Sequence, residues 1–102
     1  MVALTPGAFV ERVAVQAGAL AEVPPSVDLA QAAALPVAGV AALRALRAAG
    51  AVLGKRMLVT GASGGVGRFA VQLAAQAGAH VIASVGSAAR GAGLAKAAPT
   101  RW

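Results

Sequence analysis

The stretch LVTGASGGVGRFAVQLA, Leu58 to Ala74, decides how the rest of the chain is read. An apolar run gives way to a glycine cluster and then, without a break, to residues that favour helix. A strand that turns this sharply into a helix leaves the first backbone N–H groups of that helix without internal partners. Those donors, with the helix dipole, attract an anion. A phosphate reaches them only where no Cβ stands in the way, so Gly64 and Gly65 permit close approach while Gly67 lets the helix lie tightly on its strand. The corner is shaped for a pyrophosphate. It also follows a predicted strand and opens a predicted helix, as a dinucleotide fingerprint requires.

Working outward, RMLVT, residues 56–60, is a short apolar run of the kind that forms a fully buried parallel strand. In the helix behind the glycines, Val66, Ala70, Leu73 and Ala77 follow helical spacing and are expected to face inward. Arg68, Gln72 and Gln76 are expected to face away. Gly78 is placed to end the helix in a left-handed cap, and HVIASV, residues 80–85, reads as a second strand. Strand, glycine turn, helix and strand make one βαβ unit with parallel strands.

Upstream, AFVERVAV, residues 8–15, shows the period-2 alternation of a half-buried strand, with a second short strand in ALAEV, residues 19–23. The pair Pro24-Pro25 stops any ladder there. Asp28 is a helix N-cap, with Gln31 three residues on. Pro36 ends or kinks that helix. From Val37 to about Ala49, Val37, Val40, Leu43 and Leu46 fall near one face with Arg44 and Arg47 beside it, an amphipathic helix.

The totals set bounds on function. A chain of 102 residues is about one small domain, with room for a modest core. Net charge is +6, and the three acids Glu11, Glu22 and Asp28 all precede residue 29, leaving everything after them purely basic. That balance favours anionic ligands. Nucleic acid is not expected, because the basic residues are scattered and aromatics are only 3%. Without cysteine there is no disulfide framework or thiolate metal site, which suits a reducing cytosol, and His80 alone cannot build a metal centre. The uncharged run from Phe69 to Ala89 is long enough to suggest a membrane span, but Gln72, Gln76, His80 and Gly78 interrupt it. A soluble helix followed by a strand is the expectation, with no membrane partner.

Other motifs overlap the corner. Gly61-Ala62-Ser63-Gly64-Gly65 satisfies the G-x-S-x-G of a hydrolase nucleophile elbow, with Ser63 as nucleophile, but no acid follows it and His80 is the only histidine. A P-loop needs Lys then Ser/Thr after its last glycine, where this chain has Arg68 and Phe69. The T-G-x-x-x-G-x-G of short-chain dehydrogenases is present from Thr60 to Gly67, yet more than fifty residues precede it and there is no tyrosine for their catalytic pair.

Taken together, GAFVERVAV, AQAAALPVAGVAALRAL and GKRMLVTGASGGVGRFAVQLAAQAGAHVIASVGS resemble the medium-chain dehydrogenase/reductase superfamily, particularly its zinc-independent quinone oxidoreductase and enoyl reductase branch. The resemblance runs from about Pro6 to Lys96. It implies NADP(H) as cofactor, with hydride passing to or from a small-molecule quinone, enone, enoyl or carbonyl substrate. It rests the pyrophosphate on Ser63, Gly64, Gly65, Val66 and Gly67, and Ala62 stands where the first glycine of G-x-G-x-x-G would be. An acid at the end of the second strand would bind the ribose of NAD. This chain has SVGSAAR there, and Ser87 and Arg90 match the family's positions for the extra phosphate of NADP.

The resemblance also sets the expected architecture: an α/β chain carrying a partial Rossmann fold, its first βαβ unit, preceded by the C-terminal part of a GroES-like catalytic domain and linking helices. Residues 1–27 are expected to end the GroES-like domain, 28–54 to form the linking helices and 55–102 to begin the Rossmann domain. The tail AAPTRW departs from the family pattern. No catalytic residue is assigned, and enzyme activity of the fragment alone is left open. A non-catalytic remnant or interaction module is the alternative function. A lone βαβ unit has unpaired edges, so marginal stability and self-association are expected.

Overall fold

The computed structural model describes residues 1–94. It divides into two compact units, Met1–Val37 and Ala38–Trp102.

In the first unit, the expected strand at 8–15 does not form. Phe9 is fully exposed, and Val10 and Val13 are about half exposed. The alternation is present, but a strand exists only where its N–H and C=O groups find a ladder. The unit supplies a single isolated antiparallel bridge, Val2 with Ala21. Ala21 donates to the Val2 carbonyl at 2.9 Å and Val2 to that of Ala21 at 2.7 Å. Of the strand expected at 19–23, only this bridge residue pairs, and a 3-10 turn, Ala17–Ala19, precedes it.

After Pro24 the chain turns, with the Val27 N–H on the Pro24 carbonyl at 3.0 Å. Helix α1, Leu29–Ala32, starts as expected: the Asp28 carboxylate accepts from the Gln31 N–H at 3.3 Å. Pro36 interrupts the α-helical ladder, and Leu35–Gly39 adopts a π-helical turn. Helix α2, Val40–Ala48, follows, with Arg47 in its last turn near the negative end of the dipole. By length and composition alone, the helical stretch Leu29–Ala48 is long and apolar enough to cross a membrane, although Arg44 and Arg47 lie within it. The run from Phe69 to Ala89, by contrast, resolves into a helix and a strand.

The second unit holds the βαβ arrangement. Strand β1, Arg56–Val59, pairs in parallel with β2, His80–Ala83, in the register Arg56 with His80 through Val59 with Ala83. Helix α3, Gly65–Gln76, joins them, and Gly78, at φ 86°, closes its C-terminal end in the left-handed region. Beneath the helix, Ala62, Val71, Ala74, Val81, Ala83 and Leu94 form the buried core.

Two expectations are corrected here. β1 is not fully buried: Met57 and Val59 turn toward the core, while Leu58 is 65% exposed on the other face. No element among the described residues covers that face, so the strand alternates. The innermost line of α3 is also rotated by one residue from the expected set. Val71 and Ala74 are fully buried, whereas Val66 is 44% exposed. The rotation follows from the contact that Gly67 makes with the turn before the helix. Leu73 and Ala77 face α2 instead, where with Leu43, Leu46, Arg47 and Gln76 they border an open groove of about 390 Å³. The expected tail AAPTRW lies outside the described residues.

Candidate functional site

The corner begins where β1 ends. Gly61 takes φ 61°, a left-handed conformation that a side chain would strain, and its carbonyl accepts from the Gly64 N–H at 3.0 Å. That tight turn carries the chain into α3 with Gly64 at the N-cap position, which brings no side chain to satisfy the donors beyond it. Arg68 is the first residue of the helix whose N–H bonds back, to the Gly64 carbonyl at 3.0 Å. Among the described residues, the N–H groups of Gly65, Val66 and Gly67 have no protein acceptor. Three donors are thus aligned at the positive end of a helix of 12 residues.

Space at the corner suits an anion. A β-carbon on Gly65 would meet nothing closer than the Ala38 methyl at 4.0 Å, so the approach is open, and Gly64 and Gly65 are exposed. Gly67 has the opposite surroundings: a β-carbon there would overlap the Gly61 carbonyl and come within 2.8 Å of the Ala62 α-carbon. The glycines therefore divide the labour otherwise than expected: Gly65 leaves room outside the helix, while Gly64, where a β-carbon would lie 3.2 Å from the Gly61 carbonyl oxygen, and Gly67 allow closeness to the turn. Ala62 is fully buried and has no need of a left-handed conformation, which explains why alanine can replace a glycine there.

Main-chain bonds carry the corner to the end of β2. The Ala62 N–H donates to the Ser84 carbonyl at 3.1 Å, and the Ser84 N–H to that of Val59 at 2.9 Å. Both segments leave the C-terminal edge of the parallel pair, where ligands of such sheets sit. Beyond Ser84 the chain reaches Ser87, whose hydroxyl accepts from the Arg90 N–H at 3.4 Å and caps the short helix α4, Ala88–Gly91. The Arg90 side chain curls back over the turn: a β-carbon on Gly86 would lie 3.4 Å from Nη1. Ser87 and Arg90 are both exposed, and no acid is present between β2 and α4. A dinucleotide with a 2′-phosphate fits this chemistry, with bare N–H donors for one end and a hydroxyl and a guanidinium for the other.

Sequence reasoning did not single out two further residues. Gly61 supplies the turn itself, signalled by a glycine directly after the apolar run. Arg68 faces away from the core as expected, and its exposed side chain reaches back so that Nε donates to the Ser63 carbonyl at 3.1 Å. The signal available was its place on the second turn of the helix, from which long side chains lean toward the N-terminus.

A hydrolase reading finds no support in this geometry. Ser63 lies past the C-terminal end of β1, whereas His80 begins β2 opposite Arg56 at the other end of the pair. Among the described residues no non-glycine residue has the positive φ of a strained elbow. Among the described residues no group of His, Cys, Asp and Glu could hold a metal. The α2–α3 groove lies at the far end of α3 from the glycines and takes no part in the corner.

Comparisons with known proteins agree with this picture. No protein-family model matches the chain. It is 57% identical over 70 residues to a chloroplast envelope quinone oxidoreductase homolog of Arabidopsis thaliana, a match covering 63% of this chain and 21% of that protein. A mitochondrial NAD(P)H oxidoreductase of Mus musculus is 40% identical over 82 residues, covering 76% of this chain and 21% of its relative. Among solved structures, the quinone oxidoreductase from Thermus thermophilus, also determined in complex with NADPH, superposes with a TM-score of 0.87 at 39% identity over 97% of this chain and 34% of the other. The chain belongs to the medium-chain dehydrogenase/reductase superfamily. It spans between a fifth and about a third of the length of these superfamily relatives. Two of the relatives are named for the chloroplast envelope and the mitochondrion, neither of which is the cytosol expected from the lack of cysteine.

Proposed function

We propose that this chain carries the phosphate-binding part of an NADP(H)-dependent oxidoreductase acting on a quinone, enone, enoyl or carbonyl substrate. The carrying observation is the set of three N–H donors on Gly65, Val66 and Gly67, unpartnered among the described residues, with open space where a side chain on Gly65 would stand. In this reading those donors hold the pyrophosphate together with the Ser63 loop. Ser87 and Arg90 take the 2′-phosphate through a hydroxyl and a charged fork. The absence of an acid after β2 removes the repulsion that a carboxylate would exert on that phosphate.

When bound, the coenzyme would supply or accept the hydride. The chain's own contribution is orientation: a rigid corner fixes the phosphates, so the far end of the ligand is presented in one direction. The cytosol is proposed as the compartment.

The second reading is a non-catalytic module of the same ancestry. One observation favours it: the side chains around the corner are Ser63, Arg68, Ser87 and Arg90, none of which is a general acid near neutral pH. Titrating NADPH and NADH into the 102-residue protein, followed by assay with a quinone and an enone, separates the two readings. NADPH binding at least about tenfold tighter than NADH supports the dinucleotide site. Binding of neither dinucleotide defeats it, while binding without turnover selects the module.

A further inference from the structure

We propose that Arg68 is an affinity-determining residue of the dinucleotide site, clamping the glycine corner through Nε and presenting its remaining guanidinium N–H groups to the pyrophosphate. The inference rests on the dinucleotide reading above and adds to it a residue outside the G-x-x-G pattern.

The placement of this side chain is unusual electrostatically. It lies one turn inside the N-terminus of α3, where the helix dipole is positive and a cation is disfavoured. The first turn of α3 contains no acid to offset it. The acids of the chain are Glu11, Glu22 and Asp28, all in the other compact unit. Among the described residues the guanidinium has one partner, the Ser63 carbonyl, 3.1 Å from Nε. The side chain is therefore held in a set direction, toward the corner rather than out along the helix, with both Nη groups unpartnered among the described residues. A guanidinium anchored by Nε keeps a planar pair of donors for a second acceptor, the geometry suited to phosphate oxygens.

The same bond orients the loop. With its carbonyl drawn toward Arg68, Ser63 keeps its oxygen on the helix side, and the helix itself is braced from below by Gln72, whose Nε2 donates to the Arg68 carbonyl at 3.2 Å. Anion binding at the corner would remove the electrostatic conflict that Arg68 creates, so ligand affinity and helix stability rise together.

The test compares wild type, Arg68→Gln and Arg68→Lys in the 102-residue protein by titration with NADPH and with NADH at low and high salt, with circular dichroism to check the fold. Arg68→Gln is expected to weaken both dinucleotides by about tenfold, leave their ratio unchanged and make binding less sensitive to salt. Arg68→Lys keeps the charge without the Nε clamp and is expected to fall about threefold below wild type. If Arg68→Gln does not fold, Arg68→Lys decides, and wild-type affinity in it overturns the proposal. A folded Arg68→Gln that binds as wild type, or loses affinity with unchanged salt response, also overturns it while leaving the dinucleotide site standing. Failure of the wild-type protein to bind either dinucleotide overturns both.

Discussion

Gly67 sits against the carbonyl of Gly61 so closely that a β-carbon on it would overlap that oxygen. The conflict is with backbone on both sides, since Ala62 Cα is the next neighbour, so no side-chain rotation relieves it. Gly67→Ala is therefore expected to destabilise the second unit by about 2 kcal/mol or more. Chemical denaturation should show a lowered midpoint, and an unchanged midpoint would mean that α3 does not pack on the turn as described.

Gly65→Ala should behave in the opposite way. A β-carbon there finds open space, and alanine favours helix over glycine by about 1 kcal/mol. Stability is expected to hold or rise, while affinity for NADPH drops by about tenfold because the methyl group stands where the phosphate must approach. Denaturation and titration on one preparation check both signs.

Ser87 has a capping role and a proposed binding role that one substitution separates. Its hydroxyl caps α4 through the Arg90 N–H, and the proposed function gives it the 2′-phosphate as a second partner. Aspartate is as good an N-cap as serine, so Ser87→Asp should keep the helix end within about 0.5 kcal/mol. Its charge repels the phosphate and suits a free ribose hydroxyl. The ratio of NADPH to NADH affinity is expected to fall by at least about tenfold and to reverse in sign of preference.

Leu58 and Ile82 pair across the face of the sheet that α3 does not cover, with Leu58 at 65% exposure. Leu58→Lys should change the stability of a monomer by less than about 0.5 kcal/mol, because little burial is lost. It should also shift the 102-residue protein toward monomer in sedimentation measurements, by placing a charge on an apolar face beside an open edge. Equal sedimentation of the two proteins would show that this face does not drive association.

Local physics made several features of both units legible. Asp28 caps its helix, Pro36 breaks the ladder and Gly78 closes α3, each because the residue has a strong preference that needs no distant partner. The parallel pairing of β1 with β2 follows from the same local order. What the residues alone did not reveal depended on partners. AFVERVAV has the alternation of a strand but meets no ladder in its unit, and Leu58 lies in an apolar run but meets nothing to cover it. The buried line of α3 was displaced by one residue because the Gly61–Gly67 contact, rather than the hydrophobic pattern, sets the rotation of the helix. Arg68 lies outward as its spacing predicts, but spacing does not reveal the carbonyl five positions earlier that captures the side chain.

The bond from the Ala62 amide to the Ser84 carbonyl joins the two loops through main chain alone. Residues 86–90, beyond Val85 and its contact with the core, can accordingly be exchanged without dismantling the glycine turn, since nothing in that link depends on which side chains they carry. Under the proposed function, coenzyme preference would then be a replaceable cassette, open to redesign from one loop while the anion seat beside it stays fixed.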